Sequence, residues 1–285
     1  MISGILASAV TLAPLLAFLA VGGLATGFLA GLFGIGGGGI LVPVLYEAFG
    51  VVGVDPAIRM HMAVGTSLAV MIPTSMRSFM AHRAHGGVDM SVIRRLALPV
   101  IVGVAVGILV AKSSPSAVLK WIWIVFALLL SSKLFFGKDG WRLGHEIPKS
   151  RLVELYGVAV GFVSTMMSIG GGAFIATLMT LYDRPLRQGI GTSSGFGPII
   201  AIPGMLGFMW AGWRLMGTDV AAGGLPVGSI GFVNLIAIAL VAPLSVLTAP
   251  LGARVAHGVS KRTLEIAFGC FLLAVASRFV VALIW

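Results

Sequence analysis

Charge is scarce in this sequence. Only 10% of its 285 residues are Asp, Glu, Lys or Arg, against 58% that are hydrophobic. A soluble domain carries about 25% charged residues, so the balance indicates a polytopic membrane protein instead. Cysteine is almost missing. The single thiol, Cys270, lies in the last apolar segment, which excludes an internal disulfide and a cysteine metal cluster. No Lys or Arg precedes Arg59. The first apolar segment thus lacks the basic start of a cleaved secretory signal and is expected to stay as a membrane helix. The pattern G-x-x-x-x-G-K-[ST] is also absent, so the sequence carries no ATP-motor signature.

What charge there is leans basic, with a formal net charge of +10. The Lys and Arg residues sit in short loops between apolar segments, where they anchor a membrane protein on its cytoplasmic side. No nucleic-acid module is present. Apolar segments run over 12–33, 40–50, 62–81, 92–111 and 117–136, then over 152–167, 173–182, 190–211, 227–256 and 263–285. Pro243 and Pro250 predict a kink or break in the fourth segment of the second half. The most polar loop, 137–150, divides the chain into a first membrane repeat, 1–136, and a second, 151–285.

Glycine is abundant, at 40 residues, and its clusters are informative. Gly34-Ile35-Gly36-Gly37-Gly38-Gly39 interrupts an uncharged run that extends from Met1 to Tyr46. Each Gly costs a helix about 1 kcal/mol relative to Ala, so the cluster predicts a broken helix. Broken backbone survives in a bilayer only where protein or a water-filled cavity surrounds it. The device recurs as Ser168-Ile169-Gly170-Gly171-Gly172. Gly27–Gly38 aligns without a gap on Gly161–Gly172, and Gly65-Thr66-Ser67 matches Gly191-Thr192-Ser193. Gly107, Leu119, Phe126, Ser132 and Lys133 fall opposite Gly252, Leu264, Phe271, Ser277 and Arg278. Order is the same in both halves, which marks an internal repeat.

Loop charges orient the repeat. Placing Arg83/Arg94/Arg95, Lys138/Arg142/Lys149/Arg151, Arg184/Arg187 and Arg254/Lys261/Arg262 inside leaves only Arg59, Lys112, Lys120 and Arg214 outside. Equivalent loops then lie on opposite sides, as an inverted-topology repeat requires, and both termini lie outside. The predicted fold is an all-α polytopic membrane protein. It has two inverted repeats of about five apolar segments each and Gly-broken helices, some of them half-spans.

Two motifs resemble enzyme signatures without their context. The 34–39 stretch satisfies G-x-G-x-x-G, but a membrane helix precedes it where a dinucleotide site needs a strand. Gly191-Thr192-Ser193-Ser194-Gly195 satisfies G-x-S-x-G, yet a hydrolase elbow requires a strand–turn–helix and a His partner. An intramembrane serine hydrolase on Ser193 is therefore a remote alternative, and the protein reads as a non-enzyme.

A transport reading gives these residues a common task. Paired broken helices in two halves point to a transporter's binding site. Unwound glycines free backbone N–H groups, and the following half-helix presents its positive end, which together suit an anion. Candidate substrate-binding residues are Gly36, Gly37 and Gly38, Gly170, Gly171 and Gly172, with the hydroxyls of Thr66, Ser67, Thr192 and Ser193. Ser194 adds a further hydroxyl. Tight helix packing is the competing reading for the glycines and hydroxyls. Arg77, after Ile72-Pro73-Thr74-Ser75, is an intramembrane charge and joins the site; snorkelling to the cytoplasmic surface is its alternative. His82 and His85 read as interfacial rather than metal-binding. His61 and Asp55 fit either a proton relay or solvated loop positions. Lys133 and Arg278 read as helix-end anchors, and Trp121, Trp123 and Trp141 as an aromatic belt.

Gly31-Leu32-Phe33-Gly34-Ile35-Gly36-Gly37-Gly38, its echo at 168–172 and the paired Gly-Thr-Ser motifs resemble the TauE/SafE family of sulfite and organosulfonate permeases. The resemblance covers nearly the whole chain. It implies a bacterial-type inner (cytoplasmic) membrane carrier for a small sulfur-containing anion such as sulfite or sulfoacetate. The two glycine turns and the hydroxyl pairs would then frame the substrate. Ser168 stands opposite Gly34, and Ala173 opposite Gly39. No cofactor is expected. The expected partners are the lipid bilayer, the anion and a coupling proton or sodium ion, with passive flow also open. An anion channel, or a permease for a different small solute, is the alternative function.

Overall fold

The computed structural model describes residues 17–30, 32, 38–137, 142–218 and 224–284. Eleven α-helices occur among them. The first half holds α1 (Ala17–Ala30), α2 (Gly38–Val51), α3 (Pro56–Ala84), α4 (Met90–Ser113) and α5 (Ser116–Phe136). The second holds α6 (Arg151–Met167), α7 (Gly172–Leu181), α8 (Leu186–Ser194), α9 (Phe196–Ala211), α10 (Leu235–His257) and α11 (Lys261–Ile284). A 3-10 turn, Trp213–Leu215, and a two-stranded hairpin of β1 (Ser229–Ile230) and β2 (Val233–Asn234) precede α10. The protein is thus an all-α polytopic membrane protein. Five stretches are long and apolar enough to cross a bilayer, and α1, α2 and α7 are shorter apolar helices. At 1.5 Å per residue α7 is about 15 Å long, half of a hydrocarbon core.

The equivalences read from the sequence recur as contacts. A Cβ on Gly161 would collide with the Val100 carbonyl, and one on Gly103 with the Val158 carbonyl, so α6 and α4 meet backbone to backbone. Gly27 meets Ser245 and Thr248, and Gly252 meets the Phe28 carbonyl, so α1 and α10 meet in the same way. Counting α8 and α9 together as one segment, each half lends its first helix to the fourth helix of the other. Glycine is needed at these crossings because any side chain would force the helices apart.

The fifth helices are antiparallel. Lys120 at the start of α5 donates to the Ala282 carbonyl at the end of α11 (3.0 Å). Arg262 at the start of α11 donates to the Leu134 and Phe135 carbonyls at the end of α5 (2.8 and 2.6 Å). Each cation satisfies carbonyls that a helix C-terminus leaves unpaired. Repeat mates running in opposite directions are the geometry of an inverted repeat.

Reciprocity extends to the helix caps. Asp89 caps α4, accepting from the Ser91 and Val92 amides, and Asn234 caps α10, accepting from the Ala237 amide. The Asp89 amide donates to Thr192 Oγ1 (2.8 Å), and the Asn234 amide donates to Thr66 Oγ1 (3.0 Å). The threonine of each Gly-Thr-Ser motif thus holds the start of the other half's fourth helix.

Several expectations change. The segment read as 227–256 does not begin as helix. Ser229–Asn234 forms the hairpin, with Gly228 and Gly231 at φ +79° and +54°, conformations that favour glycine. From Leu235 onward α10 continues through Pro243 and Pro250 as one helix. The 190–211 segment is divided at Gly195, because Pro198 has no N–H to continue the ladder back to Ser194. Trp123 is not at a membrane surface; it is fully buried, edge-on to Phe279. Trp121 is exposed, and Trp141 lies outside the described residues. Lys133 and Arg278, read as helix-end anchors, also bond within the protein. Lys133 donates to Thr177 of α7, and Arg278 pairs with Glu47 of α2 (3.0 Å).

Candidate functional site

The second glycine turn closes α6 and opens α7. Ser168 adopts a left-handed conformation (φ 54°), and the Ile169 amide reaches back to the Ser164 carbonyl (2.9 Å). Gly171 is also left-handed (φ 69°) and caps α7 with no side-chain hydrogen bond. Among the described residues the first amides of α7 therefore have neither an intrahelical nor a side-chain partner, which leaves a positive helix end at the turn. The first turn lies partly outside the described residues, and Gly36 and Gly37 with it; Gly38 opens α2.

The two turns meet. A Cβ on Gly38 would collide with the Ser168 carbonyl oxygen. Ser168 Oγ donates to Ser67 Oγ (3.0 Å), and Ser67 Oγ donates to the Gly38 carbonyl (3.1 Å). This buried chain joins α2, α3 and the α6–α7 turn, and so links the halves. Gly38, Ser67 and Ser168 are all buried.

Beside this junction lies a cavity of about 570 Å³. Gly38, Ser67, Gly170, Gly172, Ser193 and Arg77 line it, so six of the predicted residues come together. Thr66, Thr192 and Gly171 do not line it. The threonines are fully buried at the caps described above, and Gly171 faces Ile200, Phe196 and Val160. Thr26, Thr74, Ser75, Ser78, His82, Ser194 and Ser245 complete the polar lining. Among the described residues no carboxylate lines it, whereas Arg77 and His82 do. Arg77 makes no ion pair or hydrogen bond among the described residues. Along α3 the cavity extends from Ser67 to His82, about 22 Å at helical rise.

Sequence reasoning missed Thr26, Ser75, Ser245 and the cavity role of His82. The Ser75 hydroxyl donates to the Met71 carbonyl one turn back in its own helix (2.6 Å), while Ser245 donates to the Gly23 carbonyl of α1 (3.0 Å), a bond that needs the three-dimensional packing to be seen. Thr26 did carry a signal. It directly precedes the aligned Gly27, and its counterpart before Gly161 is Val160, a polar-for-aliphatic difference inside an otherwise matched motif.

The remaining candidates settle into structural places. Asp55 caps α3 through the Ala57 amide (2.7 Å). His61 is buried within α3, not in a loop, and its Nε2 lies 2.9 Å from the Ala111 carbonyl. His85 contacts the Ala81 carbonyl (2.8 Å). Among the described residues no three His, Cys, Asp or Glu side chains group as a metal site would need. The Gly191–Gly195 motif lies at the end of α8, without the strand that a nucleophile elbow requires. Ser193 donates to the Ile190 carbonyl of its own helix (2.8 Å).

The comparisons agree with this architecture. A family model described as sulfite exporter TauE/SafE matches residues 19–279. A probable membrane transporter protein of Haemophilus influenzae is 32% identical over 90% of this chain and 95% of its own length. A probable membrane transporter protein of Methanocaldococcus jannaschii is 26% identical over 90% of this chain and 92% of its own length. Bacillus subtilis has a relative, YjnA, that is 28% identical over 60% of this chain and 70% of its own. No solved structure matches the chain at a significant level. With its paired glycine turns, reciprocal halves and a match over nearly its full length, the chain belongs to the sulfite exporter TauE/SafE family.

Proposed function

We propose that the protein is a secondary carrier that moves a small sulfur-containing anion, sulfite or an organosulfonate, across the cytoplasmic membrane. The observation that carries this reading is the cavity. It joins Arg77, the uncapped start of α7 and both halves of the repeat, with no carboxylate among the described residues of its lining. An anion there meets a full positive charge and free amide donors, in surroundings where electrostatic attraction exceeds that in water. Family membership and the relatives' description as membrane transporters support the same reading.

Alternating access is supported by an asymmetry between repeat mates. Ser67 bonds to Gly38, closing one side of the cavity. The corresponding pair is Ser193 and Gly172. There Ser193 turns to Ile190, and the space above Gly172 is open, with Ser193 Oγ 3.9 Å from where a Cβ would lie. The cavity runs toward the His82 end of α3, next to the basic loops that belong inside. This arrangement is an inward-open state; its opposite exchanges the two latches, closing Ser193 on Gly172 and releasing Ser67 from Gly38. The test is counterflow in proteoliposomes. External labelled sulfite or sulfonate should accumulate transiently against an unlabelled internal load. Flux that neither saturates nor exchanges points to a channel, and counterflow of a different anion alone overturns the assigned substrate.

A further inference from the structure

We infer that Thr26 is a substrate-contacting, specificity-determining residue of the cavity, the buried hydroxyl whose proton is free for an anion. This deepens the carrier reading and rests on it. Hydroxyls are numerous in the lining, but most have already spent their protons. Ser67 donates to Gly38, Thr74 to Met71, Ser75 to Met71, Ser193 to Ile190, Ser194 to Gly191 and Ser245 to Gly23, each to a carbonyl oxygen. A hydroxyl so engaged presents lone pairs to the cavity, which repel an anion. It serves to satisfy its own surroundings.

Thr26 is the exception among the buried hydroxyls; Ser78, which also makes no hydrogen bond among the described residues, is only half-buried and open to water. It is 2% exposed, lines the cavity, and its Oγ1 has no hydrogen-bond partner among the described residues. A threonine inside a helix ordinarily bonds the carbonyl four residues back. A buried hydroxyl left without a partner destabilises the fold, so its presence calls for a ligand that supplies the missing bond. The repeat sharpens the point. At the matching position the second half has Val160, equally buried and packed beside Gly171. The site of the helix tolerates an isosteric aliphatic side chain, and folding alone asks for nothing more polar. The Thr26 hydroxyl, the Arg77 guanidinium and the first amides of α7 then form the donor set around the anion.

The test is Thr26→Val beside Thr26→Ser, with transport and thermal unfolding measured on purified full-length protein in proteoliposomes and detergent. Thr26→Val should raise the KM for sulfite or the transported sulfonate roughly ten- to hundred-fold, the scale of one hydrogen bond to a charged oxygen. Its melting temperature should be unchanged or higher, and Thr26→Ser should restore the KM. A Thr26→Val protein with wild-type KM overturns this inference and leaves the carrier reading standing. A lowered melting temperature with unchanged KM does the same and assigns the hydroxyl to the fold. Wild-type protein that shows no saturable flux of any tested anion overturns the carrier reading, and this assignment with it.

Discussion

Replacing Gly38 with Ala isolates the contact on which the two halves close. The added methyl would stand against the Ser168 carbonyl, well inside the 3.0 Å that real Cβ contacts keep. The obstacle is backbone, which cannot rotate aside as a side chain can. Relief requires the α6–α7 turn to retreat by more than about 1 Å, because the repulsive wall is steep. Ser67 Oγ and the Gly38 carbonyl are already 3.1 Å apart, so such a shift removes this hydrogen bond and strains the Ser168–Ser67 bond. Loss of one hydrogen bond and of part or all of a second, at about 1 kcal/mol net each, with overpacking of about 1–3 kcal/mol, disfavours the closed junction by about 2–5 kcal/mol. Even the lower value is about a thirty-fold change in population. Gly39→Ala is the control. Its methyl would meet only the Ile169 side chain, at 3.2 Å, which has room to give. Uptake and detergent melting temperature should fall for Gly38→Ala and stay close to wild type for Gly39→Ala. Equal behaviour of the two variants would refute the closure assigned to Gly38 and Ser168.

Other outcomes follow from the same contacts. Gly172→Ala has open space in this state and should keep the wild-type melting temperature, yet it should slow transport by obstructing the opposite latch; unimpaired transport would contradict the exchange of latches. Gly103→Ala and Gly161→Ala would drive a methyl into the carbonyls of Val158 and Val100, so both should lose expression and melting temperature before any change in substrate preference. At Asp89, the Ser91 hydroxyl is the main cause holding the carboxyl below its ordinary range, helped by the Ser91 and Val92 amides and the Arg184 charge, while burial opposes them. The cap's contribution is present above the ordinary carboxylate pKa and is lost as pH falls through the lowered value. Asp89→Ala should cost about 1 kcal/mol near neutrality and show less additional loss below about pH 4, read from melting temperature against pH.

Legibility in the sequence followed from how local each physical demand is. Gly27, Gly161 and Gly252 could be matched in advance, since their close crossings admit no side chain and so leave a fixed mark; Gly107, the mate of Gly252, is looser, a Cβ there lying 3.2 Å from the Phe162 carbonyl. The Ser168–Gly172 turn was visible for the same reason. Lys120 was misread as a loop charge because its partner, the end of α11, is 162 residues away. The hairpin at Ser229–Asn234 was hidden by its apolar composition, which a hydropathy reading cannot distinguish from helix. Asp89 and Asn234, each before a fourth helix, carry recognisable capping chemistry, but their amides' attachment to Thr192 and Thr66 crosses between halves. Thr66 and Thr192 were placed at the substrate because hydroxyls beside glycines suit both roles, and only packing tells a cap from a cavity wall.

Counterflow tests the central claim most directly. Proteoliposomes loaded with unlabelled sulfite or organosulfonate should take up the labelled anion above its external concentration, transiently and with saturation. Arg77→Gln should weaken that saturation, as removal of the one arginine among the described lining residues demands. Linear uptake with no overshoot, or an overshoot indifferent to Arg77, would contradict a carrier that binds its anion in this cavity.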